Sequence, residues 1–210
     1  MNKYVINPTF LRVNLSTGES EREQVTEDIL KLYVGGRGFG IRYLYDELKA
    51  GVDPLGEENK LLLLAGPLTG SGALSLSRWI VVTKSPLSRT FTRSAVGGDF
   101  GAWMAFAALD FILVEGQAYK PVYLYVEKET CKVMDASSLW GEDTTVTQQK
   151  LVDIHGDDIR IACIGPAGEN LVRYAGIFTG RRSASRGGVG TVMGSKNLKA
   201  IVIKPSRGYK

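Results

Sequence analysis

Cysteine and histidine are scarce in this 210-residue chain, which has two cysteines and one histidine. Cys131 and Cys163 form no CxxC motif, and a four-iron cluster or a thiolate zinc site needs more thiolates than the chain holds. Cys163 lies in an apolar run, which favours a buried and inert thiol. His155 precedes Gly156 at the end of a helical pattern, where a surface or capping role is expected.

Long hydrophobic runs are also missing. A bilayer-spanning helix needs about 20 apolar residues, and the apolar segments 61–65 and 102–109 are far shorter. No apolar signal core follows Met1, so we expect a cytoplasmic protein with no membrane contact. The formal net charge of +4 is too small to indicate a nucleic-acid partner.

Glycine, in contrast, is abundant, at 25 of the 210 residues, against a usual share of roughly 7%. Because glycine weakens strands and helices, such an excess indicates turns or places where the backbone closely approaches another group. Loops that bind a cofactor are one such place.

The apolar pattern predicts an α+β fold of mainly antiparallel sheets with short helices, since hairpins outnumber βαβ units. Hairpins are expected at 10–25 and 122–134. Further strands are expected at 61–65, 79–83, 90–94, 111–115, 159–164, 171–178 and 200–203. Helices are expected after a cap at Thr26, along an apolar stripe from Ile41 to Leu48, and at 100–109 and 145–154.

Two stretches of the chain repeat each other. A shift of 89 positions aligns Arg93-Ser94-Ala95 with Arg182-Ser183-Ala184. The same shift aligns five further identical pairs without a gap: Gly98 with Gly187, Gly101 with Gly190, Met104 with Met193, Leu109 with Leu198, and Ile112 with Ile201. The repeat predicts two halves related by a pseudo-two-fold axis. Chance similarity between glycine-rich segments is the alternative.

Each copy of the repeat places glycines immediately before a short helix. Free backbone N–H groups at the positive end of a helix dipole can bind an anion, and neighbouring arginines can hold phosphate in a bidentate way. Basic residues also crowd the last stretch: Arg181, Arg182, Arg186, Lys196 and Lys199. The sequence therefore predicts two anion sites, against the alternatives of tight turns in a duplicated sandwich and of a solvated basic tail.

Gly188–Gly194 has the GxGxxxG form of a dinucleotide-binding turn. That motif requires an acidic residue about 20 residues further on, after a second strand, and the chain ends at Lys210. Since successive βαβ units are not predicted either, a dinucleotide-binding oxidoreductase domain is only an alternative.

Six sequence segments of the chain resemble the amino-terminal domain of the aldehyde ferredoxin oxidoreductases, which are tungsten or molybdenum bis-pterin enzymes. These segments are Leu11–Gly18, Gly66–Gly70, Val82–Leu87, Gly97–Gly101, Ile164–Asn170 and Arg186–Ile201. The resemblance covers essentially the whole chain. It implies that residues 1–210 form a pterin-cofactor-binding domain, a base of two packed β-sheets, and that the downstream helical domains are absent.

The resemblance also implies the cofactor contacts. A magnesium ion would bridge the phosphates of two pterins, with the backbone carbonyls of Ala95 and Ser183 as ligands, and Arg78 would lie between pterin and the iron–sulfur cluster. The remaining contacts are expected in two loops that match Ala95, Val96, Gly97, Gly98, Arg182, Ser183, Ala184, Ser185 and Arg186. Many relatives have asparagine at the position of Ala95 and glycine at that of Ser185, so the chain departs from the family's pattern at these two positions.

The activity implied for the intact protein is oxidation of an aldehyde to its carboxylate, with ferredoxin as electron acceptor. No catalytic residue is expected in this chain, because the resemblance places the catalytic acid and the 4Fe-4S ligands in the downstream domains or in a partner subunit. We expect this chain alone to be inactive and the intact protein to be a homo-oligomer. A non-catalytic module that stores or assembles the pterin cofactor is the other alternative.

Overall fold

The computed structural model describes residues 8–205, which form twelve strands and six helices. The elements of the first half are β1 (Thr9–Asn14), β2 (Glu19–Gln24), α1 (Glu27–Tyr33), α2 (Arg37–Glu47), β3 (Leu61–Ala65), β4 (Trp79–Lys84), β5 (Phe91–Val96), α3 (Phe100–Phe106) and β6 (Phe111–Glu115). Those of the second half are β7 (Val122–Glu127), β8 (Thr130–Asp135), α4 (Thr144–His155), β9 (Arg160–Cys163), α5 (Pro166–Glu169), β10 (Ile177–Thr179), β11 (Arg182–Ala184), α6 (Val189–Ser195) and β12 (Leu198–Lys204).

Each half of the chain builds one six-stranded sheet, and the two sheets have the same topology. Sheet A has the order β2-β1-β6-β3-β4-β5, and sheet B has the order β11-β10-β9-β12-β7-β8, which is the same order read from the other edge. In each sheet, the strand that comes first along the chain pairs in parallel with the strand that comes last along the chain: β1 with β6, and β7 with β12. The other pairs are antiparallel. The predicted α+β class and the internal repeat are therefore confirmed.

The main hydrophobic core joins the two sheets, and the residues aligned by the repeat lie in it. Met104 and Met193 occupy equivalent places on α3 and α6, and Ile112 and Ile201 occupy equivalent places on β6 and β12; all four are fully buried. Two smaller clusters cover the outer faces of the sheets: α1 and α2 pack on sheet A, and α4 packs on sheet B. The repeat thus reflects a core that both halves build in the same way.

Several predicted boundaries are corrected. The strand expected at 171–178 is only the short β10, because Leu171 has a left-handed φ of 55° that a strand does not accommodate. The helix expected at 100–109 ends at Phe106, just before Ala108 with φ 55°. Thr26 occupies the N-cap of α1, but its side chain makes no capping hydrogen bond. None of the helices between residues 8 and 205 is long and apolar enough to span a bilayer.

Candidate functional site

The edge strands of the two sheets, β5 and β11, meet at the junction between the halves of the chain. The backbone N–H of Arg186, two residues beyond β11, donates to Ser94 Oγ in β5 at 3.0 Å. Ser85 Oγ donates to the carbonyl of Gly187 at 2.8 Å. Both serines are buried. The two equivalent segments of the repeat therefore lie together, as the anion-site hypothesis requires.

The side chain of Arg182 lies against the glycine turn that follows β5. A Cβ atom added at Gly97 would lie 2.9 Å from the Arg182 guanidinium nitrogen Nη1, and one at Gly98 would lie 3.4 Å from Arg182 Cδ. Gly98 also has a φ of +92°, which side chains rarely adopt. Arg182 thus extends from β11 across the glycine turn of the other half, and a larger residue at position 97 would displace it.

The two loops that the resemblance matched are partly strand. Ala95 and Val96 end β5, and Arg182, Ser183 and Ala184 form β11. The side chains of Val96 and Ala184 belong to the core, so only their backbone can contact a ligand. The expectation that these residues are all in loops is therefore wrong, because the strand pairing with β4 and β10 extends through them.

The remaining predicted site residues are exposed. Ser185 and Arg186 follow β11, and the hydroxyls of Ser183 and Ser185 are 3.3 Å apart. Arg78 lies directly before β4, where its carbonyl accepts a 3.3 Å hydrogen bond from Thr69 Oγ1. The same hydroxyl accepts from the N–H of Gly66, which fixes the turn that leads to Arg78.

The sequence reasoning did not select Arg37 and Arg93 as site residues, although both line one depression with Arg78. Arg93 begins the repeated Arg-Ser-Ala phrase, and Arg37 lies in the glycine-rich turn Gly35–Gly38. The repeat and the glycine-rich stretch could have pointed to these two arginines. Only the tertiary structure shows that they lie in the same depression.

The arginines of this region share the lack of an ionic partner. Among residues 8–205 no carboxylate forms an ion pair with Arg37, Arg78, Arg93, Arg182 or Arg186. Of these five, Arg37, Arg78 and Arg93 line one depression. Uncompensated positive charge in a concave region raises the local concentration of anions.

Lys196 and Lys199 do not join these arginines, contrary to the expectation from their sequence position. Both side chains are fully buried. Lys196 Nζ donates to the carbonyls of Glu57 and Gly116 at 3.2 and 2.8 Å. Lys199 forms a buried ion pair with Glu169. These two lysines therefore have structural roles, and only the arginines of the basic stretch are exposed.

The glycines of α6 serve packing. All seven residues of α6 are buried. A Cβ at Gly190 would overlap the carbonyl oxygen of Gly176, and one at Gly194 would overlap that of Gly168. The N–H of Gly190 donates to the carbonyl of Ala175 at 2.9 Å. The protein's own backbone therefore fills the start of α6, which argues against both an anion site there and a dinucleotide-binding turn.

The apolar cysteine has the surroundings that the sequence predicts, whereas the histidine is half-buried against two tyrosines and does not cap its helix. His155 is the last residue of α4, and its Nε2 is 3.0 Å from the hydroxyl of Tyr123. Cys163 is fully buried, and burial raises its pKa to about 12, which leaves an unreactive thiol. Within residues 8–205, no three histidine, cysteine, aspartate or glutamate side chains come together as a metal site.

Two six-stranded sheets of the same topology, whose edge strands β5 and β11 meet beside arginines that have no ion-pair partner among residues 8–205, define the class of protein as a duplicated β-sheet domain. Residues 10–205 match the family model described as the aldehyde ferredoxin oxidoreductase, N-terminal domain. The chain therefore belongs to this family, and the resemblance drawn from its sequence segments is confirmed.

The relatives are longer proteins. The tungsten-containing aldehyde ferredoxin oxidoreductase of Pyrococcus furiosus is 49% identical over 200 residues, which are 94% of this chain and 33% of that protein. The WOR-like subunit of the aliphatic sulfonate oxidoreductase of the same organism is 37% identical over 220 residues, covering 97% of this chain and 35% of that subunit.

Among solved structures, the active-site complex BamBC of benzoyl coenzyme A reductase, in complex with 1,5-dienoyl-CoA, matches with a TM-score of 0.93 and 37% identity. The match covers 95% of this chain and 31% of the matched one. The chain thus spans about a third of the length of the proteins that it resembles.

Proposed function

We propose that this chain binds the metal–pterin cofactor of an oxidoreductase that oxidises aldehydes to carboxylates with ferredoxin as electron acceptor. The observation that supports this most is the position of Arg182, which crosses the Gly97–Gly98 turn of the other half at the pseudo-two-fold axis. A cofactor with two similar phosphorylated halves suits such a duplicated site. The tungsten in the names of several relatives favours a tungsten bis-pterin, with molybdenum as the other metal.

The residues present suit such a group in charge and in shape. Arg78, Arg182 and Arg186 are exposed and have no carboxylate partner among the described residues, so they can neutralise phosphate and pterin charge. The absence of side chains at Gly97 and Gly98 lets Arg182 lie against the turn. We propose Ala95 and Ser183 as carbonyl ligands of a bridging magnesium ion, which contacts only backbone oxygen there and so tolerates a change of side chain.

The role of this chain in the reaction is placement and electrostatics. When bound, the metal–pterin group supplies the oxidation of the aldehyde and accepts its electrons. The arginines hold the anionic end of the cofactor, and the hydrogen bond between the Arg186 N–H and Ser94 Oγ joins the two halves. Ser185 is exposed beside this region, and its hydroxyl can bind a phosphate oxygen where many relatives have only glycine.

The rest of the proposed activity depends on polypeptide beyond this chain. We assign the 4Fe-4S cluster, the catalytic acid and the aldehyde pocket to the remaining two thirds of the family's length, in downstream domains or a partner subunit. A homo-oligomer in the cytoplasm that delivers electrons to ferredoxin is part of the same proposal. This chain by itself is then inactive.

The test is metal retention in the full-length protein that contains this chain, produced with tungstate and molybdate available. We expect bound metal and pterin in the wild type and a several-fold lower content of both in Arg182→Gln. Arg42→Gln is the matched control, because Arg42 is paired with Asp46 at 2.7 Å and lies on α2. A folded, matured protein without either metal would contradict the proposal.

A storage or assembly module for the cofactor is the second candidate. It is favoured by one observation: β5, β11 and the glycine turn that form the junction all lie within this chain. That function requires the 210-residue chain alone to bind released pterin cofactor, which equilibrium dialysis can measure. Absence of such binding would exclude the module and leave the oxidoreductase proposal intact.

A further inference from the structure

A depression of about 240 Å³ lies between the start of α2 and the strands β4 and β5. Three arginines line it, Arg37 from α2, Arg78 from the segment before β4, and Arg93 from β5. Leu64 and Ile80 form an apolar part of its wall. The depression therefore combines three positive charges with a hydrophobic surface.

Strand geometry explains why two of these arginines face the same way. Successive side chains of a strand point to opposite faces, and paired residues of neighbouring strands point to the same face. Arg93 pairs with Val82 in β4, and Val82 belongs to the cluster beneath α2 on the outer face of sheet A. Arg78 is two residues before Ile80, which also packs on that cluster. Arg78 and Arg93 thus belong to the outer face, where α2 brings Arg37.

Close packing of α2 fixes the third arginine. A Cβ at Gly40 would lie 2.9 Å from Val82 Cγ2, so the helix sits directly on β4. A Cβ at Gly36 would lie 3.4 Å from the carbonyl oxygen of Ala65, at the end of β3. These two contacts hold the first turn of α2, and with it Arg37, against the sheet.

The start of α2 adds to the positive potential. Its N-cap is Gly36, no side chain caps it, and its first turn contains no acidic residue. The N–H of Gly38 donates to the carbonyl of Gly35 at 3.0 Å, and the start of this 11-residue helix carries the partial positive charge of the helix dipole. The three arginines have no carboxylate partner within residues 8–205, whereas Arg42, one turn further along α2, is paired with Asp46. The mutual repulsion of three guanidinium groups is relieved when an anion binds among them.

We propose that Arg37, Arg78 and Arg93 form a further anion site, which binds a phosphate-class oxyanion on the outer face of sheet A. Its lining does not include the glycine turn crossed by Arg182. It shares Arg78 with the proposed cofactor contacts and adjoins Ala95, which pairs with Ile80 of the depression. Guanidinium groups match the geometry of phosphate oxygens. The oxyanion can be free phosphate or the end of a small organic phosphate whose apolar body lies on Leu64 and Ile80.

The test is calorimetric titration of the full-length protein with inorganic phosphate at constant ionic strength, and with phenyl phosphate in a second arm. All proteins carry Arg182→Gln, so that the arginine at the glycine turn does not contribute. Saturable binding is expected in this background. Loss of a charge-assisted contact should weaken this binding about tenfold in Arg37→Gln and in Arg93→Gln.

The comparison of the two ligands identifies the source of the oxyanion. Tighter binding of phenyl phosphate than of phosphate would assign the site to an organic phosphate, and equal binding would assign it to free phosphate.

Arg42→Gln is the matched control, since it removes the same charge from the same helix. Unchanged affinity in this control supports a specific site. Absence of saturable binding in the background protein, or equal weakening in Arg42→Gln, would overturn the proposal. This inference and the cofactor proposal are tested by different measurements, phosphate affinity and metal content. Failure of either one would therefore not decide the other.

Discussion

The backbone N–H of Arg186 donates to Ser94 Oγ at 3.0 Å and so joins the two halves of the chain at their edge strands. Ser94 is buried. Its counterpart in the repeat, Ser183, is only half-buried, and its hydroxyl lies 3.3 Å from that of Ser185 instead. The junction is therefore symmetric in its backbone and asymmetric in its side chains. One serine holds the halves together, and the other is available to a ligand.

Ser94→Ala removes the acceptor of this bond and leaves the Arg186 amide unsatisfied. The bond is only partly buried, so we expect the free energy of unfolding to fall by about 0.5–1.5 kcal/mol, the usual net contribution of one hydrogen bond. Urea unfolding of the two proteins measures the difference. Ser88→Ala is the control, because Ser88 is exposed and its hydroxyl bonds only to that of Thr90. Equal midpoints for the two variants would show that the Ser94 bond contributes nothing.

The sequence predicts those features of the fold that depend on local pattern. Met104 and Met193 could be matched from the repeat alone, because each half buries the same positions of the same short helix. Lys196 could not be placed, because lysine is normally exposed and its partner carbonyl at Glu57 is 139 positions away. Arg37 reaches the depression beside Arg93 only because α2 packs on β4 through glycine, which no local pattern shows.

Gly190→Ala tests whether the glycines of α6 serve packing. A Cβ at Gly190 would overlap the backbone carbonyl of Gly176, which cannot move like a flexible side chain. We expect a loss of about 1–3 kcal/mol in the free energy of unfolding, the usual cost of overpacking. Gly165→Ala is the control, since its nearest neighbour is Thr144 Cγ2 at 3.3 Å. An equally small effect of both substitutions would instead leave room for a ligand at α6.

Lys199→Met leaves Glu169 buried without its cation. The side chains of this pair are 0% and 3% exposed, and Glu169 Oε2 also accepts from the N–H of Gly141 at 2.8 Å. Breaking a buried pair costs about 3–5 kcal/mol, which urea unfolding should show. Adding Glu169→Gln should recover part of the loss, because a neutral amide can still accept from Gly141.

The control for the buried pair is Lys150→Met. Lys150 and Glu142 form an ion pair of 2.6 Å with both side chains about 40% exposed, and exposed pairs contribute about 0–1 kcal/mol. A similar loss of stability in Lys150→Met and Lys199→Met would show that burial of Lys199 is not what matters.

Lys196 makes the stability of the protein depend on pH above neutrality. Burial, together with the nearby charge of Lys60, lowers the pKa of Lys196 to about 8 from its usual 10.5, although Glu115 and Glu57 oppose this. Between these two values the unfolded chain binds more protons at Lys196 than the folded protein does, so stability rises with pH there. Below pH 8 the buried ammonium of Lys196 lowers the free energy of unfolding by its full amount. This destabilisation disappears as the pH rises towards 10.5.

The expected result is a difference in the free energy of unfolding, wild type minus Lys196→Met, that grows with pH. A shift from 10.5 to about 8 corresponds to a gain on the order of 3 kcal/mol across that window. Urea unfolding at pH 7, 8, 9 and 10 measures it, and taking the difference cancels the titration of other groups. Lys49→Met, at an exposed position, should give no such slope. A difference for Lys196→Met that does not change with pH would contradict the prediction. It would mean that folding does not lower the pKa of Lys196, because its hydrogen bonds to the carbonyls of Glu57 and Gly116 replace those to water.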